Sequence, residues 1–121
     1  MGSEDLYAYG VKVLNTIQQV YQCELMLDRT LGSSERRGRG RRTIYFSRIK
    51  KHGLNVDGST IVTSASIYLN LDELDTHEKV RKALAHELAH LLPTEGDEHM
   101  ARWNEWIGII KKMEKDWKEN G

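Results

Sequence analysis

The sequence has 121 residues, with 18 Lys and Arg against 18 Asp and Glu, five His, one Cys and one Pro, which is the size of one domain over residues 1–121. A single cysteine excludes an internal disulfide scaffold and a cysteine-built zinc ribbon, and no apolar run approaches membrane-spanning length. The neutral total hides an uneven layout: residues 1–28 hold one base and four acids, residues 29–51 nine bases and one acid, and residues 52–121 eight bases and thirteen acids.

Leu6, Tyr9, Val13, Leu14, Ile17, Val20 and Tyr21 recur at spacings of three and four. This predicts an amphipathic helix over residues 3 to about 24, with those side chains on its core face. Residues 23–27 break the period and read as a short strand, with Cys23 as a small buried hydrophobe. The stretch LGSSERRGRGRR that follows is almost devoid of apolar residues, so about 32–42 reads as a basic Gly/Arg loop or hairpin tip.

Residues 43–49 (TIYFSRI) and 60–71 (TIVTSASIYLNL) are rich in β-branched and aromatic side chains and read as two strands. Residues 50–59 would connect them, with Asp57-Gly58 as the turn signal. Asp75 followed by Glu78 predicts a capping box for a helix ending near Leu92, with Val80, Ala83, Leu84, Leu88 and Leu91 as its buried stripe. Pro93 stops that helix, and a last one over about 97–118 buries Trp103, Trp106, Ile107, Ile110 and Met113. The fold class expected is α+β.

The second of the three predicted helices carries the chemistry. His86-Glu87-Leu88-Ala89-His90 is an H-E-x-x-H motif on the helix that Pro93 ends. Its histidines stand at i and i+4, where two imidazoles can share one metal ion, and Glu87 can reach a water at that ion as general base. Zinc, as one ion, suits two neutral imidazoles and a third nitrogen or oxygen ligand. Candidates for that third ligand are Glu95, Asp97, Glu98, His99 and Glu105, and His99 is favoured because it follows the turn containing Gly96 and opens the next helix. The metzincin spacing needs a histidine six residues after His90, where this sequence has Gly96.

Taken together, ALAHELAHLLPTEGDEHMARW resembles the active-site segment of the SprT-like (Spartan-type) zinc metalloproteases: H-E-x-x-H, a glycine-containing turn, then a third histidine followed four residues later by tryptophan. The resemblance is specific over about residues 60–106. It implies His86, His90 and His99 as zinc ligands, Glu87 as general base, and a minimal zincin-like fold: an N-terminal helix, a small three-stranded sheet, the H-E-x-x-H helix and a C-terminal helix. Many members also carry a C-terminal zinc ribbon, for which this sequence lacks the cysteines.

The resemblance further implies a protein or peptide substrate, with DNA-crosslinked proteins as the best-understood class and DNA as activator. Here that would depend on Arg36, Arg37, Arg39, Arg41 and Arg42, with Arg48, Lys50 and Lys51, which could contact phosphates. A side chain must also stabilise the developing oxyanion, and Tyr68, His77 and Arg102 are the candidates. Trp103 and Trp106 read as core anchors beside the metal. The expected protein is therefore a cytoplasmic, monomeric metalloendopeptidase with no membrane partner. Two alternatives are a nucleic-acid-binding protein with a structural or vestigial metal site, and a regulatory peptidase with one dedicated protein substrate.

Overall fold

A computed structural model describes residues 2–29, 36–37, 41–42, 44–92 and 99–120, with the backbone alone for Arg36, Arg37, Arg41, Arg42 and His99. Helix α1 spans Ser3–Tyr21 and buries Leu6, Gly10, Val13, Leu14 and Ile17. It stops earlier than its apolar spacing suggests, because Gln22 turns left-handed (φ 53°) and returns its N–H to the Gln18 carbonyl. The Gln18 side chain then accepts from the Leu25 N–H at 3.1 Å, launching strand β1 (Glu24–Arg29). The expected core positions Val20 and Tyr21 lie in this last turn and are 72% and 44% exposed, although the Tyr21 ring still rests on Trp106.

Strands β2 (Arg36–Arg37) and β3 (Arg41–Arg42) pair antiparallel as a short ladder of their own within the basic segment. Strand β4 (Tyr45–Leu54) is longer than the apolar stretch that announces it. Its ladder with β5 (Thr60–Leu69) continues through residues 50–54, absorbing register shifts around Lys51. The connection is thereby reduced to residues 55–59. Gly58 takes φ +87° there, and the Asp57 carboxylate accepts from the Ser59 N–H at 2.9 Å and from its hydroxyl at 2.6 Å.

The main sheet has the order β1-β5-β4, with β1 parallel and β4 antiparallel to the central strand. Strand alternation puts Leu25, Leu27, Ala65, Ile67 and Leu69 on the face that packs against α1 and α2 (His77–Leu91). Gly10 brings α1 close to β1, since a Cβ there would meet the Leu27 side chain at 2.6 Å. The N-cap of α2 is Thr76, whose hydroxyl accepts from the Lys79 N–H at 3.1 Å. Asp75, expected to cap, instead accepts from Lys79 Nζ at 2.8 Å. One residue of register decides this: Thr76 has the extended backbone a cap requires.

Helix α3 (His99–Glu119) packs on α2. Trp106 and Ile110 are fully buried between them, and the Trp106 indole N–H donates to the Leu92 carbonyl at 3.1 Å. The architecture is α+β, three helices and a three-stranded sheet, with α3 joined to the rest chiefly through α2. Among the described residues no helix is long and apolar enough to cross a membrane.

Candidate functional site

Helix α2 places His86 and His90 one turn apart on one face, with ring centroids 4.8 Å apart and planes at 80°. His86 is enclosed by rings: Tyr45 meets it edge-on at 5.4 Å and Trp103 at 5.2 Å. Trp103 is fixed in turn by its indole N–H, which donates to the Lys82 carbonyl at 2.9 Å. His90 is exposed and borders a cavity of about 720 Å³ at the ends of α1, α2 and the β4–β5 hairpin, with Tyr21, Ile61, Val62 and Leu92 among its walls.

Glu87 is buried, at 7% exposure. A carboxylate so placed needs hydrogen-bond partners to offset its lost hydration. Ser47 supplies one, its hydroxyl donating to Glu87 Oε2 at 2.8 Å, while Oε1 lies 3.8 Å from His86 Nδ1. The strand period explains Ser47: Tyr45 and Ser47 share the face of β4 turned to α2, and Phe46 takes the other. Burial, and secondarily the Glu87 charge, hold the Tyr45 hydroxyl above its ordinary pKa, so it remains a protonated donor at neutral pH.

No family model, curated protein or solved structure matches the chain. The reading of the site therefore rests on its own residues. His86, Glu87 and His90 are brought together. His99 is the first residue of α3, one turn before Trp103, and its side chain lies outside the described residues, as do Glu95, Asp97 and Glu98 entirely. Glu105 is exposed on α3. Among the described residues no group of three His, Cys, Asp or Glu side chains converges as a metal site.

Of the three oxyanion candidates, Tyr68 stacks on Phe46 at 4.5 Å, on the sheet face away from Glu87. His77 is the first residue of α2, at the far end from the motif, and stacks on Tyr9 at 4.4 Å. Arg102 stands next to Trp103 on α3. Tyr45 and Ser47 are the residues that sequence reasoning passed over. Their alternation in TIYFSRI was a usable signal, but which strand lies under the motif was not.

The basic segment divides. Arg36, Arg37, Arg41 and Arg42 lie on β2 and β3 with only their backbones described, and Arg39 lies outside the described residues. Arg48 sits over the Phe46 and Tyr68 rings, at 5.7 and 6.0 Å from their centroids. Lys50 and Lys51 are exposed on β4.

Proposed function

We propose that the chain is a zinc-dependent metalloendopeptidase of the SprT-like kind, with α2 as the active-site helix of a minimal zincin-like fold. The observation that carries this reading is the buried Glu87 carboxylate, held by Ser47 beside two imidazoles that one helix turn sets 4.8 Å apart. The donor set fits zinc: two imidazoles from His86 and His90, with His99, one turn before Trp103, as the third ligand.

When bound, zinc supplies the Lewis acidity that polarises a peptide carbonyl and lowers the pKa of water towards neutrality. The rest falls to the chain. Glu87 accepts the attacking water's proton and returns it to the leaving amine, Ser47 keeps the carboxylate aimed, and Tyr45 donates to the carbonyl oxygen as charge develops. The aromatic rings of Tyr45 and Trp103 exclude water from one side of His86.

Proteins associated with DNA are the proposed substrate class, on the strength of the arginines carried by β2 and β3. The decisive experiment measures zinc content and cleavage of a generic DNA-binding protein, with and without single-stranded DNA. Glu87→Gln should keep stoichiometric zinc and lose cleavage by at least about a hundredfold, as expected for removal of a general base. Undiminished cleavage removes Glu87 from the mechanism, and zinc binding unchanged in His99→Ala removes the third ligand. Stimulation by DNA supports the substrate class, and its absence favours a single dedicated protein substrate.

A further inference from the structure

At the end of the molecule away from the motif, two adjoining cavities of about 230 and 470 Å³ share His77, Glu114 and Lys118. They differ in chemistry. The smaller is walled by aromatic rings, Tyr9, His77 and Trp117, with Tyr9 and His77 already stacked at an interplanar angle of 14°. The larger is walled by cations, Arg81, Lys111 and Lys115 besides Lys118.

The cations are arranged rather than scattered. Lys111, Lys115 and Lys118 follow the i, i+4, i+7 stripe of α3, with axial rises of about 6 and 4.5 Å. None of the three forms an ion pair among the described residues. Arg81, by contrast, is held by a two-pronged bond to Glu114, from Nε at 2.8 Å and Nη2 at 2.9 Å, which fixes it at the cavity wall and engages the Glu114 carboxylate, while Glu78, paired to Lys82 at 3.2 Å, is the other acid whose charge reaches Arg81 and Lys111. His77 is the first residue of α2, so the positive end of that helix opens on the same place. The Lys12 ammonium lies 4.5 Å from the centre of the Trp117 ring on the aromatic side.

We propose that this paired recess is a nucleotide site, taking a planar base against His77 and Trp117 and its phosphate on Lys111, Lys115 and Lys118. The larger recess alone, at about 470 Å³, falls within the roughly 300–1,000 Å³ of small-molecule sites. Stacking on aromatic rings tolerates any base, so the site selects for a base joined to phosphate rather than for one base. The shared chemistry could come from a free nucleotide or from one unit of a single strand. The site is independent of the proposed peptidase centre, and Glu87→Gln leaves it intact.

The test is equilibrium binding to the full chain of adenosine monophosphate, adenosine, inorganic phosphate and a short oligothymidylate, followed by the Trp117 indole N–H resonance. Adenosine monophosphate should bind and shift that resonance, and adenosine and phosphate should each bind at least about tenfold more weakly, since each engages one half of the recess. Lys111→Gln with Lys115→Gln, both exposed and outside any ion pair among the described residues, should weaken the monophosphate about tenfold or more while adenosine is unchanged. Trp117→Leu should weaken the monophosphate and leave phosphate alone unchanged. Tighter binding of the oligothymidylate, lost in the same lysine variant, identifies a strand as the source; equal or weaker binding identifies the free nucleotide. No monophosphate binding at about 1 mM, phosphate binding as tightly as the monophosphate, or affinity indifferent to the lysine variant would each overturn the site.

Discussion

Glu87 is a carboxylate with little water around it and one hydroxyl, from Ser47, pointed at it. A hydrogen bond to a charged group is worth about 1.5–3 kcal/mol, so losing this one should be felt in turnover. Ser47→Ala is expected to lower kcat about tenfold or more with KM nearly unchanged, because the hydroxyl bonds to Glu87, the proposed base. Steady-state kinetics on a peptide substrate decide this. A rise in KM alone would place Ser47 in binding instead. The two tyrosines pushed upward in pKa give a second residue-scale expectation. Burial raises the Tyr9 hydroxyl far above its ordinary value of 10.0, helped by the Glu114 charge, and Tyr45 is raised in the same direction. A folded-state pKa above the unfolded one means the folded protein holds its proton while the unfolded chain releases it. The stability contributed by these tyrosines is therefore full below about pH 10 and falls as pH rises past it. Urea midpoints measured from about pH 9 to about pH 11 should show that fall, and Tyr9→Phe should make it shallower. At this scale His86, Glu87 and His90 were legible in the sequence, because spacing within one helix depends on nothing else. Ser47 and Tyr45 were not, because their role depends on β4 passing beneath α2, a fact of tertiary packing.

Helix α3 is attached to α2 chiefly through Trp106, which is fully buried and donates to the carbonyl just past the end of α2. It also joins α2 through the Arg81–Glu114 bridge. Trp106→Ala should cost about 3–5 kcal/mol, the usual cost of emptying a large aromatic site. Trp106→Phe keeps most of the ring, loses the donor, and should cost about 1–3 kcal/mol because the Leu92 carbonyl is left without it. Chemical denaturation measures both. Equal losses would mean that the indole N–H, and not the ring volume, holds α3 in place. Element boundaries were less legible than element types. Residues 50–54 extend β4 although Lys50, Lys51 and His52 carry no strand signal, because β5 offers them a ladder to join. Val20 and Tyr21 fit the apolar stripe of α1 yet fall on its last turn, just before Gln22 ends the helix, and are left exposed.

Over the whole molecule, the expected metal site lies where α2 and α3 meet, and its proposed ligands come from both helices. A ligand that binds only the folded chain stabilises it by mass action, about 2.7 kcal/mol at a hundredfold excess over Kd. Zinc should accordingly raise Tm, a chelator should lower it, and His90→Ala should abolish the difference, all by thermal melts with and without metal. A metal response that survives His90→Ala would locate the ion elsewhere. The charge layout also acts at this scale. The neutral total combines a sequence segment rich in arginine, residues 36–42, with a lysine stripe on α3 and acids on every helix, so a local cationic recess exists without a net attraction to polyanions.

The parallel pairing of β1 with β5 has a consequence for the order in which the molecule can be completed. Glu24 lies opposite Ser64, so the first strand made must wait for about 40 further residues before its neighbour exists. Among the described residues that neighbour is also the only strand paired with β4 in the main sheet. A chain emerging from its N-terminus thus carries α1 and β1 as an unfinished half. Residues 60–69 close the sheet in one step, and the helix bearing His86 and His90 arrives immediately afterwards onto a floor that has only just been laid.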